Sequence, residues 1–186
     1  MKFIQRIILA IIMLTIIGFL FRGWLYRHLV RYHSAGVRTN YVATDDQLIN
    51  YIETSADKQT DLDIAQIIQL GLSITSKQLH FTATQNAIDP NQLVYSKAAH
   101  CVGYAAFFAT TCNYLLKKYN LGNHWEAKPH IGQLYFLGTN VHQYSNAPFF
   151  ADHDFVTIKN KTTGEIRAVD PTLSDYLDID FINYTQ

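Results

Sequence analysis

The chain opens with an apolar segment unlike any later part of the sequence. Residues 7–21 contain no charged side chain, and residues 23–26 extend the segment beyond a single arginine. About 20 helical residues cross the roughly 30 Å hydrocarbon core of a bilayer. We therefore predict a transmembrane helix within residues 1–26, either an uncleaved signal anchor or a signal peptide. No pair of small residues suited to cleavage follows the segment, which favours the anchor.

Residues 27–43 show no clear helical or strand periodicity, and Ser34-Ala35-Gly36 would interrupt a continuing helix. We interpret residues 27–43 as a linker and residues 44–186 as one domain, which is long enough to bury a core. We expect this domain to be membrane-anchored and exported, in a periplasm or outside the cell.

The first half of the domain has the spacing of amphipathic helices. Residues 44–47 match a capping box that would start a short helix. A second helix is predicted from about Thr60 to Leu79, and a turn-rich loop at residues 86–91 leads to a third. The third helix is predicted to start at Cys101, although Ser96 could cap an earlier start.

After Gly122 the pattern changes from helical to extended. Strands separated by turn residues are predicted at residues 124–127, 131–137, 153–158 and 165–170. A loop at residues 138–151 contains several aromatic side chains, and a short helix is predicted at residues 174–182. Helices followed by an antiparallel hairpin sheet indicate an α+β fold.

Composition narrows the functional classes. Of 186 residues, 48% are hydrophobic, and 15 basic residues balance 15 acidic ones, so we expect no nucleic-acid partner.

The two cysteines lie eleven residues apart. On one helix they would be separated by roughly 16 Å, too far for a disulfide. Zinc ligands are conceivable among Cys101 and four histidines, but these lack a tight ligand spacing, so we expect no metal or cofactor. The four histidines are His124, His130, His142 and His153.

Cys101 is the strongest candidate for chemistry. A thiol in the first turn of a helix lies near the positive end of the helix dipole and near unpaired N–H groups, which favour the thiolate. The alternative is a buried cysteine that packs as a small hydrophobe. We assign that role to Cys112, which lies in the middle of the apolar stripe of the same helix.

The predicted hairpin supplies two further groups. A turn at residues 161–164 pairs Val156 with Val169, and this register places His153 and Asp170 on one face, one diagonal step apart. Asp154 should point to the opposite face. An imidazole held by a carboxylate and directed at a thiol is the arrangement that nucleophilic cysteine catalysis requires.

Three segments in this order resemble the motifs of the transglutaminase-like superfamily, a branch of the papain-like fold. They are Cys101-Val102-Gly103-Tyr104-Ala105, His153-Asp154-Phe155-Val156 and Val169-Asp170-Pro171-Thr172. The resemblance implies a Cys101–His153–Asp170 triad and a cysteine-bearing helix packed on a small antiparallel sheet. It implies acyl transfer on an amide of a protein or peptide, by hydrolysis or by cross-linking. Some members of the superfamily have lost activity.

Two hypotheses follow for the function. The first is a membrane-anchored, cysteine-dependent hydrolase or acyltransferase in which Cys101 attacks, His153 transfers the proton and Asp170 orients His153. The second is an inactive binding or scaffolding module of the same fold. An enzyme would need oxyanion donors, for which we name the Cys101 backbone N–H and, upstream, Gln85, Asn86 and Gln92.

Overall fold

A computed structural model describes residues 2–56, 60–84, 86–144, 147 and 150–185. The described residues form an α+β structure in which an apolar helix precedes the other elements. The helices are α1 (Lys2–Leu20), α2 (Arg22–Leu29), α3 (Asp46–Ala56), α4 (Ile64–Gln78), α5 (Pro90–Ser96), α6 (Cys101–Lys118) and α7 (Pro171–Leu177). The strands are β1 (Val30–Val37), β2 (His80–Phe81), β3 (Ala98–Ala99), β4 (Trp125–Phe136), β5 (Thr139–Asn140), β6 (Phe155–Asn160), β7 (Ile166–Val169) and β8 (Tyr184–Thr185).

The main sheet has the strand order β7-β6-β4-β1-β8, and β5 forms a small hairpin with β4. Neighbouring strands along this path run antiparallel, except that β8 runs parallel to β1. A separate short parallel pair joins β2 to β3, immediately before α6. This pair fixes the chain that leads into the cysteine-bearing helix.

The linker predicted at residues 27–43 is wrong, because β1 is an interior strand of the main sheet. The register of β1 against β4 shifts between Ser34 and Gly36, which marks a β-bulge. Small residues that would interrupt a helix are tolerated at such a bulge. Tyr32, on the same strand, is fully buried.

The helices predicted in the first half of the domain are present, with corrected caps. Asp45, rather than Thr44, accepts from the first backbone N–H groups of α3. A capping box between Asp63 and Gln66 starts α4, three residues later than predicted. The turn-rich loop continues into α5, because Asp89 caps that helix and Pro90 takes its first position.

The extended half also differs in detail. The two strands predicted between residues 124 and 137 are one continuous strand, β4. Pro129 is accommodated in β4 because its missing N–H would face the end of β1, not the middle of that strand. On the same side, the Pro129 carbonyl accepts from the N–H of Arg38, the residue after β1. The predicted final helix begins earlier, at Pro171, and ends at Leu177.

The main core lies between the helices and the sheet. Buried apolar side chains of α3, α4 and α6 pack together and against β6 and β7. Gly71 permits close contact between α4 and α6, since a Cβ there would lie 3.1 Å from the Phe108 ring. A second cluster surrounds Tyr32 and Phe155. This second cluster positions the candidate site.

Helix α1 stands outside both clusters. Its segment Phe3–Leu20 is long and apolar enough to span a membrane, and none of it is buried against the rest of the chain. A signal sequence near an N-terminus has the same properties. Arg22, the first residue of α2, forms an ion pair with Asp178, just beyond the end of α7.

Candidate active site

Cys101 is the first residue of α6, as predicted. The earlier start at Ser96 is wrong, because α5 ends there and Lys97 adopts a left-handed conformation that separates the two helices. His100 caps α6 with its ring, since Nδ1 accepts from the Val102 N–H at 3.3 Å. As a first-turn residue, Cys101 has no carbonyl four residues earlier in the helix to accept its N–H.

The hairpin has the predicted register. Val156 pairs with Val169 and Thr157 with Ala168, which directs His153 and Asp170 to the same region. His153 itself precedes β6 and is not part of the strand, so the predicted strand start is wrong. Its backbone rests on Gly132 of β4, to whose carbonyl its N–H donates at 3.0 Å. Any Cβ at Gly132 would overlap the His153 carbonyl oxygen, so this close approach requires glycine.

The three residues of the proposed triad lie together. His153 Nε2 and Asp170 Oδ2 are 2.6 Å apart. Cys101 lines the same cleft as His153 and is near enough to the imidazole to contribute to raising its pKa. Because Asp170 occupies Nε2, Nδ1 is the ring nitrogen left for the thiol. Asp170 is fully buried, whereas Cys101 is 8% exposed and the His153 side chain is 27% exposed. Solvent therefore reaches the site from the side of the thiol.

His153 and Asp170 carry opposite charges and form an ion pair. Burial alone would lower the pKa of His153, but Asp170 and Cys101 act against it and raise that pKa well above 6.5. Burial alone would raise the pKa of Asp170, but His153, Tyr32 and the Leu173 N–H stabilise the carboxylate and lower the pKa. The arrangement therefore favours an imidazolium paired with the Asp170 carboxylate and lying beside the Cys101 sulfur.

Two tyrosines continue the hydrogen-bond network on the far side of the Asp170 carboxylate. Tyr32 donates from its hydroxyl to Asp170 Oδ2 at 2.8 Å. The hydroxyls of Tyr26 and Tyr32 are 2.7 Å apart. Burial, together with the negative charge of Asp170, raises the pKa of Tyr32, which keeps this hydroxyl protonated as a donor. Tyr32 was not among the predicted site residues, because β1 falls in the predicted linker.

Arg38 fixes the residues on either side of His153. Its guanidinium donates to both oxygens of Asp154, at 2.8 and 3.0 Å, and to Asp152 at 3.2 Å. The hydrogen bond to Asp154 raises the pKa of Arg38, and negative charge on Asp154, Asp152 and Cys101 adds to this against the opposing effect of burial. Asp154 is thereby held by Arg38 and does not compete for the His153 ring. Arg38 also lay in the presumed linker and was missed.

The thiol opens into a cleft of about 420 Å³. This volume is within the range of roughly 300–1,000 Å³ found for ligand pockets. The described residues that line the cleft are mostly apolar or aromatic, and no Lys, Arg, Asp or Glu is among them. They are Phe81, Cys101, Leu134, Val141, His142, Tyr144, Phe150, His153 and Thr172.

The upstream oxyanion candidates do not reach this cleft where they are described. Gln92 is exposed on α5, and Asn86 donates to Thr84 within its own loop. Neither is among the described lining residues. Gln85 lies outside the described residues. The Cys101 N–H is the remaining donor of those considered.

Cys112 and His130 lie away from the cleft and serve other contacts. Cys112 is fully buried, and this burial raises the pKa of its thiol to about 12. His130 bonds to Ser34 and Thr157 within the sheet. In the described part of the chain, no group of three His, Cys, Asp or Glu side chains is arranged to hold a metal ion.

Comparisons of this chain with protein families, curated proteins and solved structures find no match.

Proposed function

We propose that the protein is a cysteine-dependent acyl-transfer enzyme with a papain-like, transglutaminase-like fold, acting on an amide of a protein or peptide. The single observation that carries the proposal is the convergence of Cys101, at the start of α6, with the His153–Asp170 pair at one cleft. The three motifs and the packing of α6 against the sheet support the same assignment.

In the proposed reaction, Cys101 Sγ forms a bond to the amide carbonyl carbon. His153 Nδ1 gives its proton to the leaving nitrogen as the C–N bond breaks, which leaves an acyl-thioester and a free amine. Water or a second amine then attacks the thioester. His153 takes the proton of this nucleophile, and the sulfur leaves as a thiolate. Water gives hydrolysis, and an amine gives a cross-link.

Asp170 keeps the His153 ring in one orientation and stabilises its positive charge. The Cys101 N–H is placed to donate to the oxyanion of the tetrahedral intermediate. Tyr32 and Arg38 act as positioning residues, since Tyr32 holds the carboxylate and Arg38 holds the neighbours of His153.

The second candidate is an inactive module that keeps the same fold. One observation favours it, namely that only 8% of Cys101 is exposed. Iodoacetamide alkylation of the native full-length protein, mapped by peptide mass spectrometry from pH 5 to 9, separates the two candidates. The enzyme should show fast Cys101 alkylation that changes little with pH, because nucleophilic cysteine catalysis requires a cysteine that reacts as a thiolate. In His153→Ala the rate should instead rise with pH around the ordinary cysteine pKa of about 8.5.

Cys112 is the internal control for this experiment, because its thiol is buried in the main core. Slow alkylation at equal rates for Cys101 and Cys112, with no change in His153→Ala, would rule out the proposal that the protein is an enzyme. Fast alkylation of Cys101 by iodoacetamide together with resistance of Cys112 would support it.

We also propose that α1 anchors the protein in a membrane and that the domain is exported, to a periplasm or to the outside of a cell. The unburied apolar segment Phe3–Leu20 supports the anchor, with Trp24 beyond it at a position suited to the membrane interface. An integral protein should remain in membranes after an alkaline carbonate wash. Release into the wash would contradict the anchor.

A further inference from the structure

The cleft beside Cys101 contains unused hydrogen-bonding groups. Three buried side-chain polar atoms in the described part of the chain have no hydrogen-bond partner: Thr111 Oγ1, His142 Nε2 and Thr172 Oγ1. Two of them, on His142 and Thr172, belong to residues that line the cleft. Buried polar atoms are nearly always paired in folded proteins, so two unpaired atoms in one apolar cleft require an explanation.

The tautomer of His142 follows from its other nitrogen. Nδ1 lies 2.7 Å from the Phe150 carbonyl oxygen. A carbonyl only accepts, so Nδ1 must carry the hydrogen, and Nε2 of the neutral ring is left with a lone pair. His142 therefore offers the cleft an unused acceptor.

Thr172 has a similar spare group. Its backbone N–H donates to Asp170 Oδ1 at 3.0 Å, so the capping interaction does not use the hydroxyl. Thr111 provides a contrast, since it lies in the middle of α6, is completely buried and does not line the cleft. The Thr172 hydroxyl can donate or accept a hydrogen bond. Thr172 follows Asp170, whose carboxylate holds His153, by two residues.

The character of the walls restricts what can bind. The described lining residues include Phe81, Leu134, Val141 and Phe150 but no Lys, Arg, Asp or Glu. A charged side chain would lose its hydration there without finding a formal counter-ion among these residues other than the His153 imidazolium, which already pairs with Asp170. The cleft is therefore suited to a neutral, largely apolar group that carries a hydrogen-bond donor.

We propose that this cleft selects a neutral peptide segment in which an apolar side chain fills the space and an adjacent N–H donates to His142 Nε2, with Thr172 Oγ1 as a second polar contact. This proposal rests on the proposed function, since the segment is the acyl part of the amide that Cys101 attacks. It makes His142 a specificity-determining residue.

Peptide-like chloromethyl ketones test the proposal without knowledge of the natural substrate. In this reaction the Cys101 sulfur forms a bond to the methylene carbon, and chloride leaves with the bonding electron pair. The compounds are the N-acetyl derivatives of phenylalanine, leucine, aspartate and lysine, and an N-methylated phenylalanine derivative that lacks the amide hydrogen. The second-order rate of Cys101 modification in the full-length protein is divided by the iodoacetamide rate of the same variant.

After this normalisation, the phenylalanine and leucine compounds should react about tenfold or more faster than the charged ones. N-methylation should slow the wild type by about tenfold, the cost of a lost buried hydrogen bond. In His142→Phe the effect of N-methylation should disappear. Thr172→Val should lose a smaller part of the preference. His124→Phe, which changes an exposed histidine outside the cleft, is the matched control and should behave as the wild type.

Equal normalised rates for apolar and charged compounds in the wild type would overturn the proposal even if His142→Phe fails to fold. An equal N-methylation effect in the wild type and in folded His142→Phe would also overturn it. In both cases fast iodoacetamide labelling of Cys101 would leave the proposed function intact. Slow labelling of Cys101 by iodoacetamide would instead remove the proposed function, and this inference with it.

Discussion

The two cysteines of α6 show how much a few turns of one helix can change a thiol. Cys101 begins the helix, lies beside His153 and faces the cleft. Cys112 lies in the middle of the same helix within the main core, and burial raises the pKa of its thiol to about 12. The side chains are identical and both are buried. The difference comes from what surrounds each sulfur: a charged partner and a helix start for one, hydrocarbon for the other.

This contrast gives every variant an internal reference. A change that acts on the site should alter the alkylation rate of Cys101 and leave Cys112 protected. A change that unfolds the domain should expose both thiols. The ratio of the two rates therefore separates chemistry from stability in a single measurement.

The largest change in that ratio is expected for Asp170→Asn. The carboxamide cannot stabilise a charged His153, so a thiolate at Cys101, as the proposed mechanism requires, would lose its charged partner. An ordinary thiol with a pKa near 8.5 is only about 0.3% ionised at pH 6. We therefore expect Cys101 alkylation at pH 6 to fall by roughly 10²-fold, with Cys112 still protected. An unchanged Cys101 rate at pH 6 would show that the carboxylate does not support the thiolate.

A smaller change is expected for Tyr32→Phe, which removes one of the donors to Asp170. Hydrogen bonds to charged groups are worth about 1.5–3 kcal/mol, so we expect the Cys101 rate at pH 6 to fall about tenfold. Tyr114→Phe is the matched control, because Tyr114 donates to Glu53 at 2.7 Å from the outer side of α6. Equal effects of the two changes would contradict a positioning role for Tyr32.

The smallest effect concerns stability as a function of pH. The folded-state pKa of His153 is raised, so its contribution to stability is fully present below about 6.5 and is lost as the pH rises through the folded value. The pKa of Asp170 is lowered, so its contribution is lost only as the pH falls through a value below 3.8.

Chemical denaturation of the wild type and His153→Gln between pH 6 and pH 9 measures the histidine part. The free energy of unfolding of the wild type, relative to the variant, should decrease as the pH increases. A difference that stays constant, or that grows with pH, would show that His153 is not held in its charged form.

Local sequence signals predicted the parts of the site that depend on short-range geometry. The turn at residues 161–164 fixed the hairpin register, and with it the meeting of His153 and Asp170. The apolar stripe correctly predicted a helix that begins at Cys101. Strand alternation also predicted that Asp154 would point away from His153, where Arg38 holds it.

Long-range pairing could not be predicted in the same way. Strand β1 lacks a regular apolar alternation, and its small residues coincide with a bulge, so its place between β4 and β8 depends on partners almost 100 residues or more away. Tyr32 and Arg38 were missed for this reason. Helix α5 was missed for a different reason, because Asp89-Pro90, which caps and begins this helix, was interpreted as part of a turn.

The Tyr26–Tyr32 contact limits how this protein can be shortened for work in solution. Cutting the chain just after α2 would delete Tyr26 and leave the Tyr32 hydroxyl, which is buried, with one partner fewer. Cutting at residue 40 would take away an interior strand and open the sheet between β4 and β8. A water-soluble version should therefore begin at Arg22, where the guanidinium already pairs with Asp178, and should replace only the apolar helix before it.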